Sequence, residues 1–204
     1  MSKAVMLSIR PKWCEKIING DKTIEVRKTR PKMDTPFKCY IYCTLPKYPH
    51  EDFIATNYPR PQFYGGGKVV GEFTCDRIDW ITHIGYTGIP NLVETRICDA
   101  ATMRTSPVGG LLNAACLTPK MLNDYLAWGD GYGWHITDLR IYDAPRELGE
   151  FWRDCPEYSE LSTNCWTCEN VCGDGDETDC NTDGRRYLRR APQSWCYVEV
   201  VRDE

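Results

Sequence analysis

Pro11-Lys12-Trp13-Cys14-Glu15-Lys16-Ile17-Ile18-Asn19-Gly20-Asp21-Lys22-Thr23-Ile24-Glu25-Val26-Arg27 reads as a helix, a glycine stop and a strand in direct succession. Pro11 suits the first helical turn, where its missing N–H costs nothing. Trp13, Cys14, Ile17 and Ile18 recur at helical spacing and predict one buried stripe. Lys12, Glu15, Lys16 and Asn19 fall on the other face. Gly20 supplies the helix C-cap. From Lys22 to Thr29 the pattern changes to a period of two. Ile24 and Val26 share one face; Thr23, Glu25 and Arg27 share the other.

Outward from this unit, Met6 to Ile9 is short and apolar and predicts a preceding strand. Phe37 to Thr44 predicts another. Residues 45–67, rich in Pro, Tyr and Gly and ending in Gly65-Gly66-Gly67, read as a loop. Lys68 to Trp80 reads as one long strand with a bulge or bend. Residues 81–117 have no clear period. Thr118-Pro119 opens a helix in the order cap, then proline. Met121, Leu122, Tyr125 and Leu126 form its apolar stripe, and Gly129 closes it. Gly133 to Tyr142 and Ser194 to Val201 predict strands, and residues 143–184 are largely aperiodic. Strands separated by turns, with two clear helices, predict an α+β fold. Its expected core is a mixed or antiparallel β-barrel with helices on the rim, not alternating βαβ units.

The 204 residues suffice for one domain carrying an insertion, and 42% apolar with 26% charged residues is ordinary for a globular chain. No run of 18 apolar residues suggests a membrane span, and the N-terminus lacks a secretory apolar stretch. These features predict a cytoplasmic protein. The net charge of −4 argues against coating nucleic acid by bulk charge. The charge is uneven, however. Residues 1–38 hold ten Lys or Arg against four Asp or Glu, and residues 155–184 hold eight acids and no Lys or Arg. A basic N-terminal third can face phosphates, and the alternative is plain solvated surface.

The polar members of the opening strand are the first candidates for chemistry. Lys22 can contact phosphate as a point charge or, partly buried, act as a base. Glu25 and Arg27 can pair, leaving Glu25 to accept from an exocyclic amine and Arg27 to fork onto phosphate or stack on a base. In an ideal strand Lys22 faces away from Glu25, though its place at the turn relaxes that. Thr23, Glu72, Trp134 and His135 complete the ligand-binding candidates. The competing readings are an exposed strand position for Glu72, a core anchor for Trp134 and a structural role for His135. By its helical position Trp13 reads as core.

Twelve cysteines are many for a reducing compartment. Cys14, Cys39, Cys43, Cys75, Cys98, Cys116 and Cys196 are scattered among apolar residues and read mostly as small core residues. Cys165, Cys168, Cys172 and Cys180 cluster in the acidic insertion of about 150–190, just after Cys155. Four thiolates at short separations suit a closed, structural tetrahedral Zn²⁺ site, with Cys155 as an alternative ligand. Disulfides and free thiols are the other readings. No organic cofactor is expected.

The signature Pro11, Ile17, Gly20, Lys22, Glu25 and Arg27 resembles the ASCH family, a branch of the PUA-like superfamily. Lys68-Val69-Val70-Gly71-Glu72-Phe73 resembles a second family strand. Tyr132-Gly133-Trp134-His135-Ile136 and Ala191-Pro192-Gln193-Ser194-Trp195-Cys196-Tyr197-Val198 look like variants found in phage-derived members. The resemblance covers roughly residues 5–150 and 190–201. It implies a PUA-like barrel over residues 1–204 and a cleft that binds RNA or a modified nucleoside. One family branch removes the acetyl group of acetylcytidine with a Lys, a Thr three residues later and a Glu; another is proposed to cleave RNA. Lys22 matches that Lys, and Glu25 stands where that branch has Thr. Lys22 and Glu25 are therefore the catalytic candidates if the protein is an amidohydrolase or ribonuclease, and the departure favours recognition over catalysis.

Overall fold

The computed structural model describes residues 3–45, 53–55, 62–85, 93–98, 104–127, 129–154 and 185–200, with backbone only at 53–55, 62–64, 85 and 93. The chain begins with β1 (Lys3–Ile9), α1 (Pro11–Ile18), β2 (Ile24–Arg27) and β3 (Phe37–Cys43). A short hairpin follows, β4 (Phe53–Ala55) and β5 (Gln62–Tyr64), where the sequence reads as loop. Then come β6 (Lys68–Cys75), β7 (Ile78–Gly85), β8 (Val93–Cys98) and β9 (Thr105–Pro107). Helices α2 (Gly109–Ala114) and α3 (Pro119–Leu126) precede β10 (Gly131–His135), β11 (Thr137–Glu147), β12 (Trp152–Asp154), β13 (Arg185–Tyr187) and β14 (Trp195–Glu199). Among the described residues no helix is long and apolar enough to cross a membrane.

The strands form two five-stranded sheets, in the orders β11-β6-β3-β1-β14 and β2-β10-β7-β8-β9. β1 and β3 run parallel and the remaining pairs antiparallel, so the α+β class with a mixed sheet holds. The expected closed barrel is not formed among the described residues. The edge strand β2 has no ladder to β1 or β14. That gap is crossed by a side chain, because Arg27 donates to the backbone of Ser8 and Ser194. The expected long strand from Lys68 to Trp80 is two strands in different sheets. The exposed pair Asp76-Arg77 makes the corner between them.

The first sheet is buried on both faces at its centre, around β1 and β3, which explains the unbroken apolar run Ala4 to Leu7 in β1. On one face Val5, Leu7 and Ile9 pack with Cys14, Ile17 and Ile18 of α1, with Phe73 and with Trp134. On the other, Ala4 and Met6 meet Tyr40, Phe151 and Leu188. Ile24 and Val26 of β2 face a third cluster made by Leu111, Leu112, Leu122 and Leu126 of α2 and α3. The alternation read in β2 thus sorts its apolar residues onto the helices and leaves Glu25 and Arg27 for the opposite side.

The insertion leaves at β12 and returns at β13, which pair antiparallel with Trp152 opposite Tyr187. Cys155, Cys165, Cys168, Cys172 and Cys180 lie outside the described residues. Among those described, no group of three or more His, Cys, Asp or Glu is placed to hold a metal.

Candidate functional site

Helix α1 ends at Asn19, and Gly20 follows with φ +79°, a left-handed conformation that glycine adopts without strain. Its N–H bonds to Ile17 O, and the Lys22 N–H bonds to Lys16 O. The chain reverses so tightly that Lys22 stands outside the strand ladder. Freed from the strand's alternation, its Nζ turns onto the Glu25 side and lies 3.2 Å from Glu25 Oε2. The end of α2 grips the same turn. Ala115 O accepts from Lys22 Nζ at 2.9 Å, Ala114 O accepts from Thr23 N at 2.8 Å, and Cys116 Sγ donates to Asp21 O at 3.2 Å. Carbonyls at a helix C-terminus carry partial negative charge and suit an ammonium.

The other Glu25 oxygen, Oε1, receives Arg27 Nη2 at 3.0 Å. Nη2 also donates to Ser8 O at 2.8 Å, and Nη1 donates to Ser194 O at 3.2 Å and Ser194 Oγ at 3.3 Å. Arg27 is therefore largely consumed as a strap joining β2 to β1 and to the segment before β14. Lys22, Glu25 and Arg27 are 3%, 7% and 6% exposed, so this is a buried charge network.

That network forms the floor of a cleft of about 680 Å³. One wall carries Arg10, Lys12 and Trp13; another carries Met121, Asp124 and Tyr125 of α3; Pro192, Gln193 and Ser194 close a third side. The Trp13 ring lies 5.2 Å from Lys22 Nζ and 4.6 Å from Lys12 Nζ, and Lys28 Nζ lies 5.5 Å from the Tyr125 ring. A floor of fixed charges, aromatic walls and a basic rim can hold a planar ring and a polar or anionic group together.

Of the residues singled out in the sequence, the structure brings Lys22, Glu25 and Arg27 together on the cleft. Thr23 is exposed and off its lining. Trp134 is fully buried between the sheets, edge-on to Phe37 at 5.7 Å, so it is a core anchor and not a ligand contact. His135 points elsewhere: its Nε2 lies 2.8 Å from Asp79 Oδ2 and 2.9 Å from Arg77 Nη2. Glu72 is also remote from the cleft. It accepts from Lys38 Nζ at 2.9 Å and from Tyr142 OH at 2.8 Å, and burial with that carboxylate pushes the Tyr142 phenol well up from its usual range.

Trp13, Met121 and Tyr125 are the cleft residues that periodicity hides. Trp13 sits at the margin of the α1 stripe and is only half-buried, whereas Cys14, Ile17 and Ile18 are buried. Met121 and Tyr125 belong to the α3 stripe but are 36% and 39% exposed, while Leu122 and Leu126 carry its packing. A helical stripe wider than its neighbour can cover was the available signal.

No family model matches the sequence, and no curated protein matches it. Among solved structures the chain is similar to the crystal structure of ASCH from Zymomonas mobilis. The identity is 17% and the TM-score 0.43, covering 71% of this chain and 73% of that one. Crystal structures of two single-substitution variants of the Zymomonas protein are comparable. One has 16% identity, a TM-score of 0.43 and coverage of 72% and 77%. The other has 18% identity, a TM-score of 0.44 and coverage of 71% and 74%. All three neighbours are ASCH proteins.

Proposed function

We propose that the cleft binds RNA or a modified nucleoside. A base stacks on Trp13 and Tyr125, and the ligand's polar groups meet Lys22 and Glu25. The observation that carries this reading is the buried Lys22 ammonium on the floor, set between a carboxylate, a carbonyl and an indole ring. Stacking on an aromatic side chain contributes about 1–3 kcal/mol per base. A carboxylate oxygen accepts from an exocyclic amine of a base, and a Lys N–H donates to a ligand oxygen. Arg27 acts from behind by holding Glu25, and Thr23, Glu72, Trp134 and His135 take no part.

The test is calorimetric titration with a short single-stranded RNA and with individual nucleosides, acetylcytidine included. Binding that Trp13→Ala weakens about 5- to 150-fold and Lys22→Ala removes is expected. Binding indifferent to both substitutions would sink the reading. A hydrolase is the second reading, favoured by the 3.2 Å approach of Lys22 Nζ to Glu25, an amine and a carboxylate within proton-transfer reach. Incubation with acetylcytidine and with RNA, followed by mass spectrometry, decides it. Product that disappears in Lys22→Ala supports the hydrolase, and no product leaves the binding module. In the insertion, Cys165, Cys168, Cys172 and Cys180, with Cys155 as alternate, are proposed to hold a structural zinc ion.

A further inference from the structure

The cleft floor carries more positive charge than its one carboxylate neutralises. Lys22 and Arg27 share Glu25, one oxygen each, at 3.2 and 3.0 Å. Their other hydrogen-bond partners are neutral, namely the carbonyls of Ala115, Ser8 and Ser194 and the Ser194 hydroxyl. Asp124 is the other acid on the lining, but it is exposed and held by Lys120 Nζ at 2.6 Å. An uncompensated charge out of water costs several kcal/mol. The donors are unfilled as well. Arg27 Nε is buried with no acceptor among the described residues. Lys22 Nζ has three N–H groups and two hydrogen-bonding partners there. Arg10 and Lys12 add positive charge at the rim and no acid balances them on the lining.

The geometry points to an anionic oxygen group as the missing partner of this floor, seated against Lys22, with the ligand's planar ring against Trp13 and Tyr125. Resting on the nucleoside reading of the cleft, this makes the ligand a nucleotide with a phosphate monoester, free or at the end of a chain, and not an uncharged nucleoside. One phosphate oxygen accepts from the open Lys22 donor, and the ligand's charge neutralises the floor. A buried site screens this contact little, so added salt weakens it less than a contact on the exposed rim. Charge-assisted hydrogen bonds are about twice as strong as neutral ones and supply the selectivity.

The experiment titrates the full chain with uridine, uridine 5′-monophosphate, uridine 3′-monophosphate, inorganic phosphate, and a short RNA with and without a terminal phosphate. One monophosphate should bind at least about tenfold more tightly than uridine, equivalent to about 1.4 kcal/mol. Lys22→Met should erase that gain while leaving the melting temperature unchanged or higher, since it removes the excess buried charge. Should Lys22→Met not fold, Lys22→Gln keeps the bond to Ala115 O without the charge and should lose the same gain. Terminally phosphorylated RNA outbinding the unphosphorylated strand identifies a chain end as the source, and preference for the free monophosphate identifies a small ligand. Equal binding of uridine and both monophosphates overturns the inference and leaves the nucleoside reading standing. So does a phosphate gain that survives Lys22→Met but is lost in Arg10→Ala/Lys12→Ala, which would place the phosphate on the rim. No binding by any nucleoside, nucleotide or RNA overturns the cleft reading itself.

Discussion

Lys22 owes its position to lying two residues ahead of the strand, which begins at Ile24. Alternation alone sends it away from Glu25. The left-handed Gly20 and the bond from Lys22 N to Lys16 O instead turn its side chain back onto the carboxylate. The three charged positions were legible in the sequence, but their joint geometry was not, because the grip of Ala114, Ala115 and Cys116 comes from ninety residues further on. Glu25 is the hinge of the network. Replacing it with Ala leaves two buried cations without a counter-charge, and removing one partner of a buried pair costs about 3–5 kcal/mol. Urea unfolding of Glu25→Ala should show that loss, whereas a loss under about 1 kcal/mol would mean the floor is hydrated and the network weakly coupled. Trp134 and Glu72 show the reverse limit. Both sit in predicted strands, yet only packing distinguishes a side chain facing a core from one facing a ligand.

At the scale of elements, α1 and α3 appear where proline and spacing place them. α3 begins at Thr118, whose Oγ1 accepts from Met121 N at 3.2 Å. Thr118→Ala should cost about 1 kcal/mol. Since α3 also carries Tyr125, a fraying of its first turn should weaken ligand binding in step, which titration at two temperatures measures. The end of α3 is read less well. It stops at Ala127, with φ 52°, before the expected Gly129. Composition hides the strands between residues 81 and 107, because β7, β8 and β9 mix apolar and polar residues without alternation. Gly71 in β6 is different, since a Cβ there would meet Arg140 O of β11 at 2.5 Å. Backbone cannot give way as a flexible side chain can. Gly71→Ala should therefore destabilise by about 1–3 kcal/mol, the usual range for overpacking, and thermal melting checks it.

For the whole molecule, the core is unusually rich in thiols. Burial pushes Cys14 and Cys39 well up from the ordinary thiol range and Cys75 up to about 12. A thiol with a raised folded pKa stabilises the fold fully below its unfolded value, and that stability is lost as pH rises through the folded one. Stability should fall from about pH 9 towards pH 12, and melting followed across that range shows it. The proposed zinc site belongs to this scale too, because β12 and β13 bring the two ends of the insertion together. Protein purified without a histidine tag should contain about one equivalent of zinc, and much less than that removes the site. Finally, Arg27 takes two of its acceptors from Ser194, 167 residues later in the chain. During synthesis at roughly 5–20 residues per second, about 8 to 33 seconds separate the emergence of the two. Until then β1 lacks its β14 neighbour and Arg27 lacks the Ser194 half of its strap. A nascent or prematurely ended chain would thus carry Lys22, Glu25 and Arg27 in a cleft that lacks its 192–194 side, so the proposed recognition should wait for that segment.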